Sequence, residues 1–164
     1  MDVVDVVVIM LHPILGFSLA IWLFRQWKTM KALKTKKGLS WARIQDKNRK
    51  EVIKNHEEAG KKSMLFISIV ILFAVIADTY RHFELGANLS SLVSLHGWLG
   101  IMLAIIIFQM RKTGTRMVNE RDAGINYQKT KGIHQRAGDL LIGLLIAVVF
   151  LGFLRLLDVI QVLN

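Results

Sequence analysis

Long apolar runs alternating with strongly basic connectors constrain this chain more than any other feature. Apolar runs cover residues 3–24, 62–82, 89–110 and 134–157. About 20 apolar residues in a helix span the ~30 Å hydrocarbon core of a bilayer, so each run is long enough to cross. Within lipid every backbone N–H and C=O must be bonded internally, which leaves helices or a closed barrel. The runs lack the apolar–polar alternation of barrel strands, and the chain holds a single proline. The expectation is an all-α fold, one four-span domain over residues 1–164 forming an up-down bundle. The acidic start Met-Asp-Val-Val-Asp and the length of the first run argue against a cleaved leader. Pro13 removes a backbone donor, so a local kink near Ile9 is expected. Trp22 and Trp27 fall where an interfacial aromatic belt would lie.

Charge orients the spans. The connectors 25–61 and 111–133, with Lys62 and Arg136 at their edges, hold 20 of the 22 Lys and Arg residues. By the positive-inside rule both connectors face the cytoplasm or stroma, which puts both termini on the periplasmic or lumenal side. The net charge of +10 is explained by this topology without a nucleic-acid partner. Polybasic segments beside spans also bind anionic lipid, and by steering they would attract an acidic soluble electron carrier. From Ser40 onward, Trp41, Ile44, Val52 and Ile53 with interleaved charge read as an amphipathic helix. That helix would run without a break into the second span, carrying His56 on its extension. In the second connector, Gly114, Gly124 and Gly132 are the expected breakers.

Four of the five histidines are followed four residues later by glycine: His12/Gly16, His56/Gly60, His96/Gly100 and His134/Gly138. On a helix those positions share a face, so each string presents an imidazole one turn from bare backbone. A flat, bulky ligand needs such a surface. Alternating helix direction sorts the histidines by depth. His12 and His96 lie part-way into spans one and three from the outer side; His56 and His134 lie at the inner ends of spans two and four. In an up-down bundle one faces three and two faces four across the diagonals. A diagonal histidine pair around an iron porphyrin is bis-histidine ligation of haem b, and two such sites would stack across the membrane. Helix rise puts the two irons on the order of 20–25 Å apart. The chain has no cysteine, which excludes covalent haem attachment, iron–sulfur clusters and disulfides. It also lacks the H-x-x-x-H clusters of membrane di-iron or zinc enzymes.

This pattern resembles the cytochrome b561 superfamily, whose core is a four-helix bundle with two b haems held by histidines of alternate helices. More narrowly it resembles a cyanobacterial and plastid family of unknown function, marked here by His12-Pro13, His56-x-x-x-Gly60, His96-x-x-x-Gly100 and a fourth histidine, His134. The resemblance implies His12 with His96 as one ligand pair and His56 with His134 as the other. It also implies electron transport across a cyanobacterial or plastid membrane, thylakoid or plasma membrane, with quinone or a soluble carrier as exchange partner. The ascorbate-binding and ferric-reductase residues of the animal and plant enzymes do not carry over, because they belong with flanking helices outside this core.

Arg81 and Arg155, with His82, are candidates for pairing with the propionates of an outer haem; a solvated helix end accounts for Arg81 and His82 equally well. Asp78 and Asp158 would neutralise those cations or serve proton uptake. Asp139 would orient a ligand or cap its helix. Met102 and Met110 read as packing. No catalytic residue and no substrate pocket can be read, so oxidoreductase activity stays open. The alternative is a structural or assembly subunit of a photosynthetic complex whose histidines ligate chlorophyll, which takes one axial histidine and needs no matched pairs.

Overall fold

The computed structural model describes residues 3–34, 49–86 and 94–162. Four α-helices account for nearly all of them: α1 (Val3–Lys34), α2 (Arg49–Phe83), α3 (Leu95–Asp122) and α4 (Gln128–Val162), with no strand among the described residues. Three of these, α1, α2 and α4, are long and apolar enough to cross a membrane. In α3 the described apolar stretch is 95–110; residues 87–93, which would extend it, lie outside the described part. Trp41, Ile44 and Gly38, the start of the expected amphipathic segment, lie outside it too.

The helices overrun the apolar runs at the basic end. α1 continues ten residues past Phe24 to Lys34, passing through Pro13 without losing helical structure. α2 begins at Arg49, so His56 is on the same helix as the second apolar run. Of the three expected breakers, Gly114 and Gly132 lie inside α3 and α4, and only Gly124 breaks the chain. Its φ of +71° reverses the chain after α3, a conformation in which any β-carbon is strained. An isolated glycine costs a helix only about 1 kcal/mol, less than tertiary packing of its face supplies. Asn126 then restarts the chain by accepting the Gln128 N–H at 3.1 Å, and Ser94 caps α3 by accepting the Gly97 N–H at 3.2 Å.

α1 packs on α2 and α4, and α3 packs on α4 and α2, leaving α1–α3 and α2–α4 as the unpacked diagonals. Leu19, Leu23, Ile67, Leu103, Ile107, Leu141 and Leu145 form the core. Large apolar side chains such as Phe17, Leu65, Ile105 and Phe150 point outward. That arrangement is unfavourable in water and expected of surfaces that meet lipid.

The two hairpins repeat one pattern. Shifting α1 by 84 positions superimposes Leu11–Thr29 on Leu95–Thr113 with ten of nineteen residues identical, among them His12/His96, Gly16/Gly100, Phe24/Phe108 and Thr29/Thr113. A shift of 78 takes His56, Ala59, Gly60 and Val70 of α2 onto His134, Ala137, Gly138 and Val148 of α4, four identities in 35 residues. Burial follows the same registers: Leu19 and Leu103 are core residues at equivalent positions, as are Leu23 and Ile107, and Ile67 and Leu145. The fold is two α-hairpins with matching registers of histidine and core positions, packed against each other.

Candidate functional site: two histidine pairs on the diagonals

The structure brings the four histidines together in two pairs, each across an unpacked diagonal. His12 of α1 meets His96 of α3 with ring centres 6.1 Å apart and planes at 76°. His56 of α2 meets His134 of α4 at 6.3 Å and 79°. Two imidazoles that bind one first-row metal ion from opposite sides, each with a nitrogen–metal distance of ~2.0–2.1 Å, hold their ring centres about 6.3 Å apart. Both pairs have that spacing.

Three of the four rings are tethered through Nδ1. His12 Nδ1 donates to the Val70 carbonyl at 3.1 Å, and His96 Nδ1 donates to the Val148 carbonyl at 3.0 Å. A carbonyl only accepts, so in both rings the proton is on Nδ1 and the Nε2 lone pair is left available. These bonds are equivalent under the repeat, one in each hairpin. His134 Nδ1 sits 3.1 Å from Thr113 Oγ1, with the Met110 carbonyl also in hydrogen-bonding reach. The fourth ring differs: His56 Nδ1 is buried and has no hydrogen-bond partner. Burial pushes His56 down to about 4, with the neighbouring His134 lowering it further and Glu57 partly opposing. The ring is therefore neutral at physiological pH.

A helix carbonyl already bonded within its own helix accepts a second donor only if the side chain that would cover it is absent or small. Because Cβ atoms tilt toward the helix N-terminus, the residue four positions on is the one that would cover it. That residue is Gly152 for Val148, Ala74 for Val70 and Gly114 for Met110. A β-carbon at Gly152 would lie 2.8 Å from His96 Cε1, closer than carbon atoms approach; at Gly114 it would lie 3.4 Å from His134 Cε1. The glycines that the imidazoles rest against are thus on the neighbouring helix. Of those one turn from each histidine, Gly60 and Gly100 border open space, whereas a β-carbon would meet Val70 at Gly16, and Met110 and Trp27 at Gly138.

The remaining candidates sit at the two ends. At the His12–His96 end, Arg81 lies 3.5 Å from Asp78, and the Arg155 Nε is buried without a hydrogen-bond partner. The Arg155 charge is felt at both Arg81 and His96. His82 packs edge-on against Phe83. Asp5, almost fully buried, accepts the Tyr80 hydroxyl at 2.6 Å and ties α1 to α2. At the other end Asp139 accepts from Trp27 Nε1 at 2.8 Å and from Lys31 Nζ at 2.9 Å, joining α1 to α4. Arg121 reaches Glu57 at 2.8 Å, one residue from His56. Met110 belongs to the packing around the core. An open basic groove of about 670 Å³ runs along α3, with Phe108, Arg111, Lys112 and Arg116 in its lining and none of the four paired histidines.

Among the described residues no three or more His, Cys, Asp or Glu side chains converge to form a metal cage. Comparison of the chain with family models, with curated proteins and with solved structures finds no match.

Proposed function

We propose that the protein is a four-span membrane cytochrome holding two b-type haems, one between His12 and His96 and one between His56 and His134. The observation that carries this reading is the spacing of the two pairs, 6.1 and 6.3 Å between ring centres across opposite diagonals. With no third His, Cys, Asp or Glu converging on either pair among the described residues, His12 with His96 and His56 with His134 would hold a metal that carries its own macrocycle. The Nδ1 tethers support it, since a hydrogen bond to the far ring nitrogen fixes the tautomer and strengthens the ligand. A haem supplies reversible one-electron exchange at iron. The chain's own residues would orient the imidazole nitrogens, exclude water with the core around Leu19 and Leu103, and offer the Arg81 and Arg155 cations to carboxylates at the His12–His96 end.

In this reading all four helices span, both termini lie outside, and the His56–His134 site faces the cytoplasm or stroma. Two sites at different depths then connect the faces of the bilayer for electrons. Quinone or an acidic soluble carrier is the exchange partner, and the basic groove on α3 suits such a carrier electrostatically. The resemblance to the cytochrome b561 core and to its cyanobacterial and plastid relatives points to a photosynthetic membrane. The matched pairs favour haem over chlorophyll, whose magnesium takes one axial histidine. Spectra of the purified protein, oxidised and reduced, test the proposal. Sharp α and β bands of low-spin b haem at about two haems per chain are expected; chlorophyll bands, or uptake of no haem, overturn it.

A further inference from the structure

The matching registers make the two hairpins a comparison built into one molecule, and one histidine breaks it. His12 and His96 are tethered at equivalent positions, to Val70 and Val148. His134 is tethered to Thr113, whereas His56, its equivalent, has a buried Nδ1 with no partner. The repeat carries Thr113 onto Thr29, Met110 onto Gln26 and Gly114 onto Met30. Thr29 is set up as Thr113 is: its hydroxyl donates to the Arg25 carbonyl at 2.8 Å, as Thr113 donates to the Gln109 carbonyl at 2.9 Å. A hydroxyl that donates this way keeps its lone pairs, so both threonines can accept an imidazole N–H. The difference lies at the next residue. A β-carbon at Gly114 would already touch His134, 3.4 Å from Cε1 and 3.8 Å from Nδ1, so a longer side chain at this position would reach into the place of the ring. α1 has a methionine there.

We infer that Met30 holds His56 off Thr29, its built-in hydrogen-bond acceptor, so that one histidine of this pair is tethered and the other is not. Thr29 is a latent positioning residue and Met30 the residue that keeps it unused. The missing hydrogen bond is a property of the protein alone; its consequence, a less firmly oriented histidine on one side of a metal that His56 and His134 would hold, rests on the reading above.

The test is a double-mutant cycle on the full chain in lipid nanodiscs, read by ¹⁵N NMR of labelled histidine rings. Met30→Gly should bring His56 Nδ1–H onto Thr29, slowing its exchange with water about fivefold, as a net hydrogen bond of ordinary strength would. Thr29→Val alone should leave His56 unchanged, and Thr29→Val combined with Met30→Gly should restore the parent behaviour. The reciprocal variant Gly114→Met should free His134 from Thr113, which keeps the inference testable if Met30→Gly fails to fold. A response of His56 to Thr29→Val alone overturns it. So does a Met30→Gly effect that survives loss of Thr29, or an unaltered His134 in Gly114→Met. Haem titration of the parent chain runs alongside. A chain that binds no haem yet follows the NMR cycle refutes the cytochrome and leaves the Met30 assignment standing.

Discussion

The His12–His96 pair and the His56–His134 pair have almost the same ring spacing and are built differently around it. The first lies among apolar residues, and both its rings are pinned by backbone carbonyls of the adjacent helix. A backbone acceptor cannot change rotamer, so those rings are set by the helices themselves. The second lies where the helices leave the apolar runs, and only one of its rings is tethered, His134, by the Thr113 hydroxyl with the Met110 carbonyl also in reach. Around it the helices are joined by charged contacts, Asp139 with Lys31 and Arg121 with Glu57, whose side chains are partly in solvent. Such pairs contribute about 0–1 kcal/mol each. The comparison teaches that one pair of matched hairpins can make a rigid site in its packed half and an adjustable one at its polar end.

Removing a ligand gives the largest effect. His96→Ala should halve the haem content and leave the spectrum of the other site unchanged; loss of both haems, or of neither, would break the independence of the two pairs. Gly152→Val should come next, because a β-carbon there meets His96 at 2.8 Å. Overpacking of this kind costs roughly 1–3 kcal/mol, so haem affinity at the His12–His96 site should fall about tenfold or more. Gly60→Ala, with nothing within 4 Å, should be neutral or stabilising by up to ~1 kcal/mol in thermal denaturation of the haem-free protein.

In the haem-free protein, acid should act on the second pair through His56. His56 binds its proton at about 4 in the folded protein against an ordinary value of 6.5. Between those pH values the unfolded chain holds more protons than the folded one, so stability falls as pH drops from about 6.5 toward 4 and levels off below. Thermal unfolding with pH should show that decline, and His56→Gln should remove its part of it. The smallest effect belongs to Asp139→Asn, which weakens the bond from Lys31 while keeping an acceptor for Trp27. A loss of no more than about 0.5–1 kcal/mol, reduced by salt, is expected, with the His12–His96 site unaffected.

Much of this arrangement can be read from residue order. Histidines 12, 56, 96 and 134 stand out by their shared spacing to glycine, and helix direction alone sorts them into the two pairs that the structure brings together. The repeat that relates Leu11–Thr29 to Leu95–Thr113 is also present in the sequence, at ten identities in nineteen, and would have pointed to Thr113 and to the exception at Met30. Gly152 and Gly114 are harder to find. Their role depends on which neighbouring carbonyl a histidine reaches, and that is a relation between helices. Likewise, Gly114 and Gly132 read as breakers although both lie within helices, because packing outweighs a local propensity of about 1 kcal/mol.

By itself, then, the sequence determined the all-α class, the long apolar helices and the identity of the paired histidines, because hydrophobic runs and i, i+4 spacing act locally along a helix. Only the tertiary structure decided which glycines make room for the imidazoles, which carbonyls hold them, and that His56 alone of the four paired histidines has an Nδ1 without a hydrogen-bond partner. Those properties depend on contacts between residues 21 to 58 positions apart, whose distances are set when helices pack and not by anything a single helix contains.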